Sequence, residues 1–238
     1  MTTFAFVAGA WHGAWCWQLV TPLLEAAGHR AIAIELPGMG ADTTPLAGVT
    51  LQSWARFVAD RIEAEAEPVV LVGHSRGGIV ISQAAEFAPT RIERLVYLAA
   101  FLLPSGQTLL GAASADRSED MPHVLVMAPD GTSMIAPDAL QPRFYNTTPA
   151  ALVDRAAAWI TPEPMWVLNE PLALSEACYG AVPRAYIETL QDNAVAHTLQ
   201  RRMQAELPCE RVITLDTDHS PFFSAPQTLA DALLELAR

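Results

Sequence analysis

Ser75 has the sequence context of an activated nucleophile. It lies in a Gly-His-Ser-Arg-Gly sequence, residues 73–77, which follows the branched apolar run 69–72 and precedes a helical pattern that begins near Ile79. A G-x-S-x-G pattern between a strand and a helix is a nucleophile elbow, in which glycines leave room for a strained turn that exposes the serine hydroxyl. A bare G-x-S-x-G also occurs in loops without a chemical role. The flanking strand and helix favour the nucleophile.

His219 is the best placed of the six histidines to act as the base that a serine needs at neutral pH. It comes after an expected strand at 211–215 and before an expected helix at 226–237, at the same sheet edge as the elbow. His74 should point sideways, as a structural or pocket-wall residue. His12, in the first loop, has two open interpretations, pocket shaping and structural packing. Three further histidines have the character of surface or cap residues: His29, His123 and His197.

Asp192 is the expected acid of the site. It directly follows an expected strand at 185–190, and it stands between the serine and the histidine in the chain, the order that this kind of elbow imposes. An Asp-Asn pair that only forms a turn is the alternative. Asp216 and Asp218 are rivals, but a residue so near the histidine in sequence cannot easily place its carboxylate on the far ring nitrogen. Two acids of the middle segment are less favoured still: Asp116 and Asp120.

An oxyanion needs two preorganised backbone N–H groups. We predict that Arg76, at a helix N-terminus, supplies one and that Ala10, in the loop after the first strand, supplies the other. The Arg76 side chain is expected to cover only the helix surface. An apolar pocket for a small to medium, partly apolar or aromatic ester is predicted beside them. Its predicted lining is Gly9, Trp11, His12, Phe101, Trp159, Met165, Trp166, Ser220 and Phe222.

The elements that must position these residues alternate along the chain. Strands are expected at 3–8, 31–35, 69–72, 95–100, 184–189 and 211–215, and helices at 15–27, 50–65, 79–87, 196–206 and 226–237. This alternation predicts an α/β fold with a mostly parallel sheet and helices on both faces. Residues 104–182 interrupt it. We interpret them as an inserted helical cap, with a helix near 149–159, on a core formed by residues 1–103 and 183–238.

Composition excludes several function classes. The chain has 238 residues, of which 51% are hydrophobic, and this favours one domain with a large core. A formal charge of −12 argues against nucleic acid or an anionic membrane as partner. All 14 basic residues are arginine, which excludes a lysine base, a Schiff base and a P-loop lysine.

The cysteines and the N-terminal residues indicate a compartment. Cys16, Cys178 and Cys209 are odd in number and widely spaced, as buried free thiols in a reducing environment would be. The N-terminus lacks the basic region of a signal peptide, and no apolar run reaches the roughly 20 residues of a membrane span. We therefore expect a cytoplasmic protein. Separately, we expect a monomer or homodimer that acts on a small-molecule ester and uses no metal and no cofactor.

With these residues identified, the chain resembles the plant methylesterase and hydroxynitrile lyase group of α/β-hydrolases and its bacterial esterase relatives. The resemblance is nearly full-length. It implies the α/β-hydrolase fold, the triad Ser75, Asp192 and His219, and an oxyanion hole at Ala10 and Arg76. The segments that carry it are Gly13-Ala14-Trp15-x-Trp17, residues 22–29 (PLLEAAGH), residues 73–78, Leu98-Ala99-Ala100-Phe101, residues 186–192 and Asp218-His219.

Two positions separate the chemistries of this group. Its lyases carry a threonine in the first loop and a lysine after the catalytic histidine, where this chain has Gly9 and Ser220. The resemblance therefore favours ester hydrolysis through an acyl-enzyme, and a C–C bond hydrolase or a hydroxynitrile-lyase-like enzyme on the same triad is the alternative. The first loop reads Ala8-Gly9 where the hydrolases have His-Gly, a change that bears on loop packing or pocket polarity.

Two further function classes are disfavoured by the sequence. A receptor or interaction module of this fold normally has a degraded triad, whereas this chain has all three triad residues. A dinucleotide-binding enzyme is disfavoured because the two glycines of the first loop, Gly9 and Gly13, are not spaced as G-x-G-x-x-G.

Overall fold

A parallel sheet of six strands organises the computed structural model, which describes residues 1–116 and 124–237. The sheet order is β2-β1-β3-β4-β8-β9, and every neighbouring pair is parallel. This confirms the predicted α/β class. In chain order the strands are β1 (Thr3–Val7), β2 (Arg30–Ile34), β3 (Val69–His74), β4 (Ile92–Leu98), β5 (Leu125–Met127), β6 (Thr132–Ile135), β7 (Glu163–Pro164), β8 (Arg184–Thr189) and β9 (Arg211–Leu215).

Helices cover both faces of the sheet. They are α1 (Thr21–Ala26), α2 (Leu51–Glu63), α3 (Gly77–Phe87), α4 (Leu109–Asp116), α5 (Pro137–Phe144), α6 (Ala150–Trp159), α7 (Met165–Leu168), α8 (His197–Glu206), α9 (Pro221–Ser224) and α10 (Pro226–Leu236). Short 3₁₀ helices lie at Ala14–Leu19, Leu46–Gly48, Pro89–Arg91 and Tyr179–Ala181. Helices α2, α3 and α8 pack in one apolar cluster, and α1 and α10 pack in the other.

Strand β3 shows why the strands of the sheet have continuous apolar sequences. Val69 and Leu71 belong to the cluster on one face, and Val70 and Val72 belong to the cluster on the other. Successive side chains of a strand point to opposite faces, so a strand covered on both faces is apolar at every position. The carboxyl ends of these strands meet at one edge of the sheet, where the loops that carry Ser75, Asp192 and His219 begin.

The prediction of one continuous helix at residues 15–27 is wrong. The chain forms the 3₁₀ helix Ala14–Leu19 and then α1, with Pro22 in the first turn of the second helix. Proline has no N–H to continue the earlier ladder and restricts the residue before it, so a new helix starts there. The expected end at residue 27 lies one residue beyond α1, and Gly28 closes the helix: its φ is +84°, and His29 N–H donates to Leu24 O at 3.1 Å, as in a Schellman motif.

Local rules account for two other boundaries. Thr50 and Ser53 form a reciprocal capping box at the start of α2, and Thr50 is the first residue of the helix expected at 50–65. Strand β4 ends at Leu98, two residues earlier than predicted, because Ala99 adopts a φ of +44° that an extended strand does not allow.

The segment 104–182, predicted to form a cap, lies between β4 and β8 in the chain and differs in one respect from the expectation of short helices. It contains a three-stranded antiparallel sheet in the order β5-β6-β7 besides α4 to α7. The β5–β6 turn includes Gly131 at φ +85°, so Asp130-Gly131 was a hairpin signal in the sequence. Asp120 and His123 lie outside the described residues. None of the helices that the structure describes is long and apolar enough to cross a membrane.

Candidate active site

Ser75 occupies a strained turn between β3 and α3. Its φ is +53°, in the left-handed region that non-glycine residues rarely adopt, and its N–H donates to Leu98 O at 3.2 Å. The neighbouring glycines are required by space, since a Cβ on Gly77 would lie 2.6 Å from Val7 O and one on Gly73 would lie 2.7 Å from Gly77 O. The sequence therefore folds locally as a nucleophile elbow.

His219 and Asp192 form a buried pair beside the elbow. His219 Nδ1 lies 2.7 Å from Asp192 Oδ2, and both side chains are at most 1% exposed. The other ring nitrogen, Nε2, has no hydrogen-bond partner among the residues that the structure describes. Because Nδ1 donates to the carboxylate, Nε2 carries the lone pair that a general base needs.

Asp192 is held rigidly in this position. Its two oxygens accept four hydrogen bonds besides the one from His219, from Ala194 N, Val195 N, Thr189 Oγ1 and Gln200 Nε2, at 2.8 to 3.1 Å. A carboxylate fixed by this many donors keeps one orientation and fixes the imidazole plane in turn.

His74 is a structural residue that supports His219, in line with its predicted role. The His74 side chain is fully buried, and Nε2 donates to the backbone carbonyl of His219 at 2.8 Å. The two ring centroids lie 4.5 Å apart. Burial lowers the pKa of His74 well below its usual value, with the nearby histidines as further causes, so the ring is neutral.

Ala10 and Arg76 lie on the cavity beside Ser75, as predicted. Neither backbone N–H donates a hydrogen bond to any residue in the described part of the chain. Two unpaired donors beside a serine hydroxyl are the arrangement that stabilises an oxyanion. The prediction that the Arg76 side chain covers only the helix surface is wrong. That side chain is 1% exposed and forms an ion pair with the buried Glu163 of β7, at 3.1 Å between Nε and Oε1.

The cavity is mainly apolar, and the structure changes much of its predicted lining. Of the predicted residues, Trp11, Phe101 and Met165 line it. It is completed by Ala10, Ser75, Arg76, Leu109, Leu110, Ala113, Val124, Leu125, Arg143, Phe144, Leu168, Asn193, Ala194 and Val195.

Six predicted pocket residues lie elsewhere. Gly9 packs on His74, and His12 is buried behind the first loop. Trp159 contacts Trp15 and is 40% exposed, while Trp166 donates Nε1–H to Val49 O at 2.8 Å. The last two, Ser220 and Phe222, are fully buried and outside the cavity lining. Aromatic residue type alone does not separate core from lining, which accounts for the positions of Trp159, Trp166 and Phe222.

His12 supports the first loop from within the core. Its Nδ1–H donates to Ala10 O at 2.6 Å, and its Nε2 accepts from the Tyr145 hydroxyl at 2.5 Å. Burial lowers the pKa of His12 to about 4, so the ring is neutral near pH 7.

In the part of the chain that the structure describes, no group of three or more His, Cys, Asp or Glu side chains is arranged to hold a metal ion. A parallel sheet with a serine elbow after its third strand and a His-Asp pair at the ends of later strands is the architecture of the α/β-hydrolases.

Residues 4–232 match the model of the "Alpha/beta hydrolase family", and the chain belongs to that family. It is 38% identical over 248 residues to "Putative methylesterase 11, chloroplastic" of Arabidopsis thaliana, with 99% of this chain and 64% of that protein covered. It is 34% identical over 250 residues to "Methylesterase 2" of Arabidopsis thaliana, with 98% and 95% covered. The crystal structure of methylesterase MES16 from Arabidopsis superposes with a TM-score of 0.86 at 29% identity, covering 100% of this chain and 99% of that one. The predicted family resemblance and enzyme class, an esterase, are confirmed.

Proposed function

We propose that the chain is a serine-dependent carboxylic ester hydrolase that works through an acyl-enzyme and needs no cofactor. The observation that carries the proposal is the 2.7 Å hydrogen bond from His219 Nδ1 to Asp192, which leaves His219 Nε2 available as a base. The His219 ring lies 5.6 Å from that of Phe144, which lines the same cavity as Ser75. The methylesterase relatives support an ester as substrate.

Each residue has one role in the reaction. His219 Nε2 takes the proton of Ser75 Oγ, and the oxygen attacks the ester carbonyl. The carbonyl oxygen becomes an oxyanion, which accepts hydrogen bonds from the N–H groups of Ala10 and Arg76. The tetrahedral intermediate then expels the alcohol, which receives the proton from His219. Water, deprotonated by the same nitrogen, attacks the acyl-enzyme and releases the carboxylic acid and free Ser75.

The cavity favours small to medium esters with an apolar or aromatic acyl group. Apolar side chains, among them leucine, valine, phenylalanine and alanine, form most of its wall, and the reactive serine is 8% exposed. The relatives bear the name methylesterase, so methyl esters are the first class of alcohol to compare with longer ones.

The replacement Ser75→Ala tests the proposal. With p-nitrophenyl acetate and butyrate we expect kcat to fall by about 10⁶, the loss seen when a triad serine is removed. A fluorophosphonate probe should label wild-type protein at Ser75 and leave the variant unlabelled. Ser53→Ala, at an exposed serine of α2, is the control and should retain wild-type turnover. Equal turnover in wild type and Ser75→Ala would refute the nucleophile.

The alternative is C–C bond cleavage on the same residues. The resemblance places a lysine of the lyases at Ser220, which here is a fully buried serine outside the cavity lining. Product analysis with a cyanohydrin and a β-diketone separates the two chemistries. A cytoplasmic location and a monomeric or dimeric state stay predictions, and the first of the curated relatives is named as chloroplastic.

A further inference from the structure

The ion pair of Arg76 and Glu163 contacts the backbone on both sides of Ala10. Arg76 Nη2 donates to Gly9 O at 2.9 Å, and Glu163 Oε2 accepts from Trp11 N at 2.9 Å. Both side chains are at most 1% exposed, and the Arg76 guanidinium lies over the Trp54 ring at 4.5 Å from its centroid. Gly9, Ala10 and Trp11 are consecutive, so the pair binds the residue before the predicted oxyanion donor and the residue after it.

Because the peptide group is planar, these contacts also set the direction of the Ala10 N–H. The Gly9 carbonyl and the Ala10 N–H belong to one planar trans peptide, and they point in opposite directions. A guanidinium that holds the carbonyl therefore also sets the direction of the N–H. A hydrogen bond to the carbonyl further polarises the amide and makes its N–H a stronger donor.

The next peptide is fixed at both ends as well. It joins the Ala10 carbonyl, which accepts from His12 Nδ1 at 2.6 Å, to the Trp11 N–H, which donates to Glu163. With both flanking peptide planes held, the backbone angles of Ala10 are determined. Trp11 itself has a φ of +62°, a conformation that persists only where surrounding contacts enforce it.

We propose that the Arg76–Glu163 ion pair is the positioning device of the oxyanion hole. The second donor is the backbone N–H of Arg76 itself, so one ion pair links both donors to each other and to the cap strand β7. The side chains do not touch the substrate. They act by holding the Ala10 and Arg76 N–H groups at a fixed separation and direction. This inference rests on the proposed function, because it presupposes an oxyanion at these two groups.

Three variants separate positioning from charge and from packing. Glu163→Gln keeps an acceptor for the Trp11 N–H and removes the charge. Arg76→Met with Glu163→Met removes both charges together, so that neither is left buried without its partner, and it also removes the partners of the Gly9 carbonyl and the Trp11 N–H. Glu170→Gln is the matched control, because Glu170 is also a cap glutamate that accepts a backbone N–H, from Leu51 at 3.1 Å, and it lies outside the cavity lining.

We expect kcat on p-nitrophenyl butyrate to fall by about 10-fold in Glu163→Gln and by about 100-fold in the double variant, with KM within threefold of wild type. These losses approach the roughly 10² to 10³ that removal of a whole oxyanion donor costs. Affinity for an alkylboronic acid, which forms a tetrahedral adduct on the serine, should fall in parallel with kcat/KM. Affinity for the product butyrate should not change. Glu170→Gln should match wild type in all three readouts.

Thermal unfolding shows which variants are folded. If Glu163→Gln does not fold, the double variant provides the test. A folded double variant with wild-type kcat would refute positioning, and so would equal losses of boronate and butyrate affinity. A different result would refute the proposed function: wild-type protein would neither hydrolyse the ester nor be labelled by a fluorophosphonate. Labelled and active wild type with unaffected Arg76 and Glu163 variants would overturn this inference alone.

Discussion

Asp192→Asn is the most informative single replacement in the site, because the geometry determines how the amide must sit. Oδ1 accepts from two backbone N–H groups, and Oδ2 accepts from His219 and from two side chains. The partners at Oδ1 are Ala194 N and Val195 N, and those at Oδ2 are His219 Nδ1, Thr189 Oγ1 and Gln200 Nε2.

Asparagine replaces one of these oxygens by an NH₂ group, which cannot accept. At the Oδ1 position it would face two backbone donors that cannot turn away. At the Oδ2 position the partners can adapt, because Thr189 and Gln200 can rotate and His219 can change tautomer. The NH₂ group therefore takes the Oδ2 position and donates to His219 Nδ1. The imidazole proton then moves to Nε2, and Nε2 has no lone pair left to accept the proton of Ser75.

We expect kcat to fall by about 10⁴, the cost of the wrong tautomer in a Ser-His-Asp site, which corresponds to about 5 kcal/mol in the barrier. KM should change little, since Asp192 lies behind the histidine. Initial rates with p-nitrophenyl butyrate, with folding checked by circular dichroism, provide the measurement. Asp216→Asn is the control: Asp216 is exposed, accepts from Gln191 Nε2 at 2.9 Å, and should leave kcat unchanged. A folded Asp192→Asn variant that keeps a tenth of wild-type kcat would refute this reasoning.

Two stability predictions follow from other buried groups. His12 has a folded pKa of about 4 against 6.5 in the unfolded chain, so its contribution is present above pH 6.5 and is lost as the pH falls toward 4, by at most about 3 kcal/mol. Urea unfolding at pH 7.5 and pH 5 should therefore show a smaller loss of stability in His12→Gln than in wild type, and equal losses would contradict the assignment. Gly77→Ala would place a Cβ 2.6 Å from Val7 O and should lower the free energy of unfolding by about 1–3 kcal/mol. Gly48→Ala, with open space around it, should stay within about 0.5 kcal/mol of wild type, and similar losses in the two variants would contradict the steric argument.

Strand ends were predictable from the sequence because the parallel sheet follows from local patterns. Continuous apolar runs indicate strands buried on both faces, and the carboxyl ends of parallel strands meet at one edge. Asp192 and His219 were chosen for their places just after two such runs. The structure brings these two residues, 27 positions apart in the chain, to within 2.7 Å.

The pocket and the buried ion pair were not predictable in the same way. Glu163 lies between two prolines in a segment without helical or strand periodicity, a context that is typical of an exposed carboxylate in a loop. Charged residues are almost never fully buried unless they are paired, and its partner Arg76 lies 87 positions away. The pairing of β6 with β7 and the hydrogen bond from Thr161 N–H to Trp11 O hold the segment that carries Glu163. A proline-flanked glutamate in an apolar cap was the one available signal.

The energetics of this pair favour a positioning role over a stabilising one. Burial raises the pKa of Glu163, and it lowers the pKa of Arg76, so each charge is desolvated and only partly compensated by its partner. The 3.1 Å contact of Nε with Oε1 does not have the geometry of a hydrogen bond, and its attraction is chiefly Coulombic. Buried pairs of this kind commonly contribute no net stability relative to apolar side chains of the same volume. What an apolar pair cannot do is hold the Gly9 carbonyl and the Trp11 N–H. A positioning role therefore accounts for the ion pair, and under this proposal β7, the strand that carries Glu163, belongs to the proposed oxyanion site.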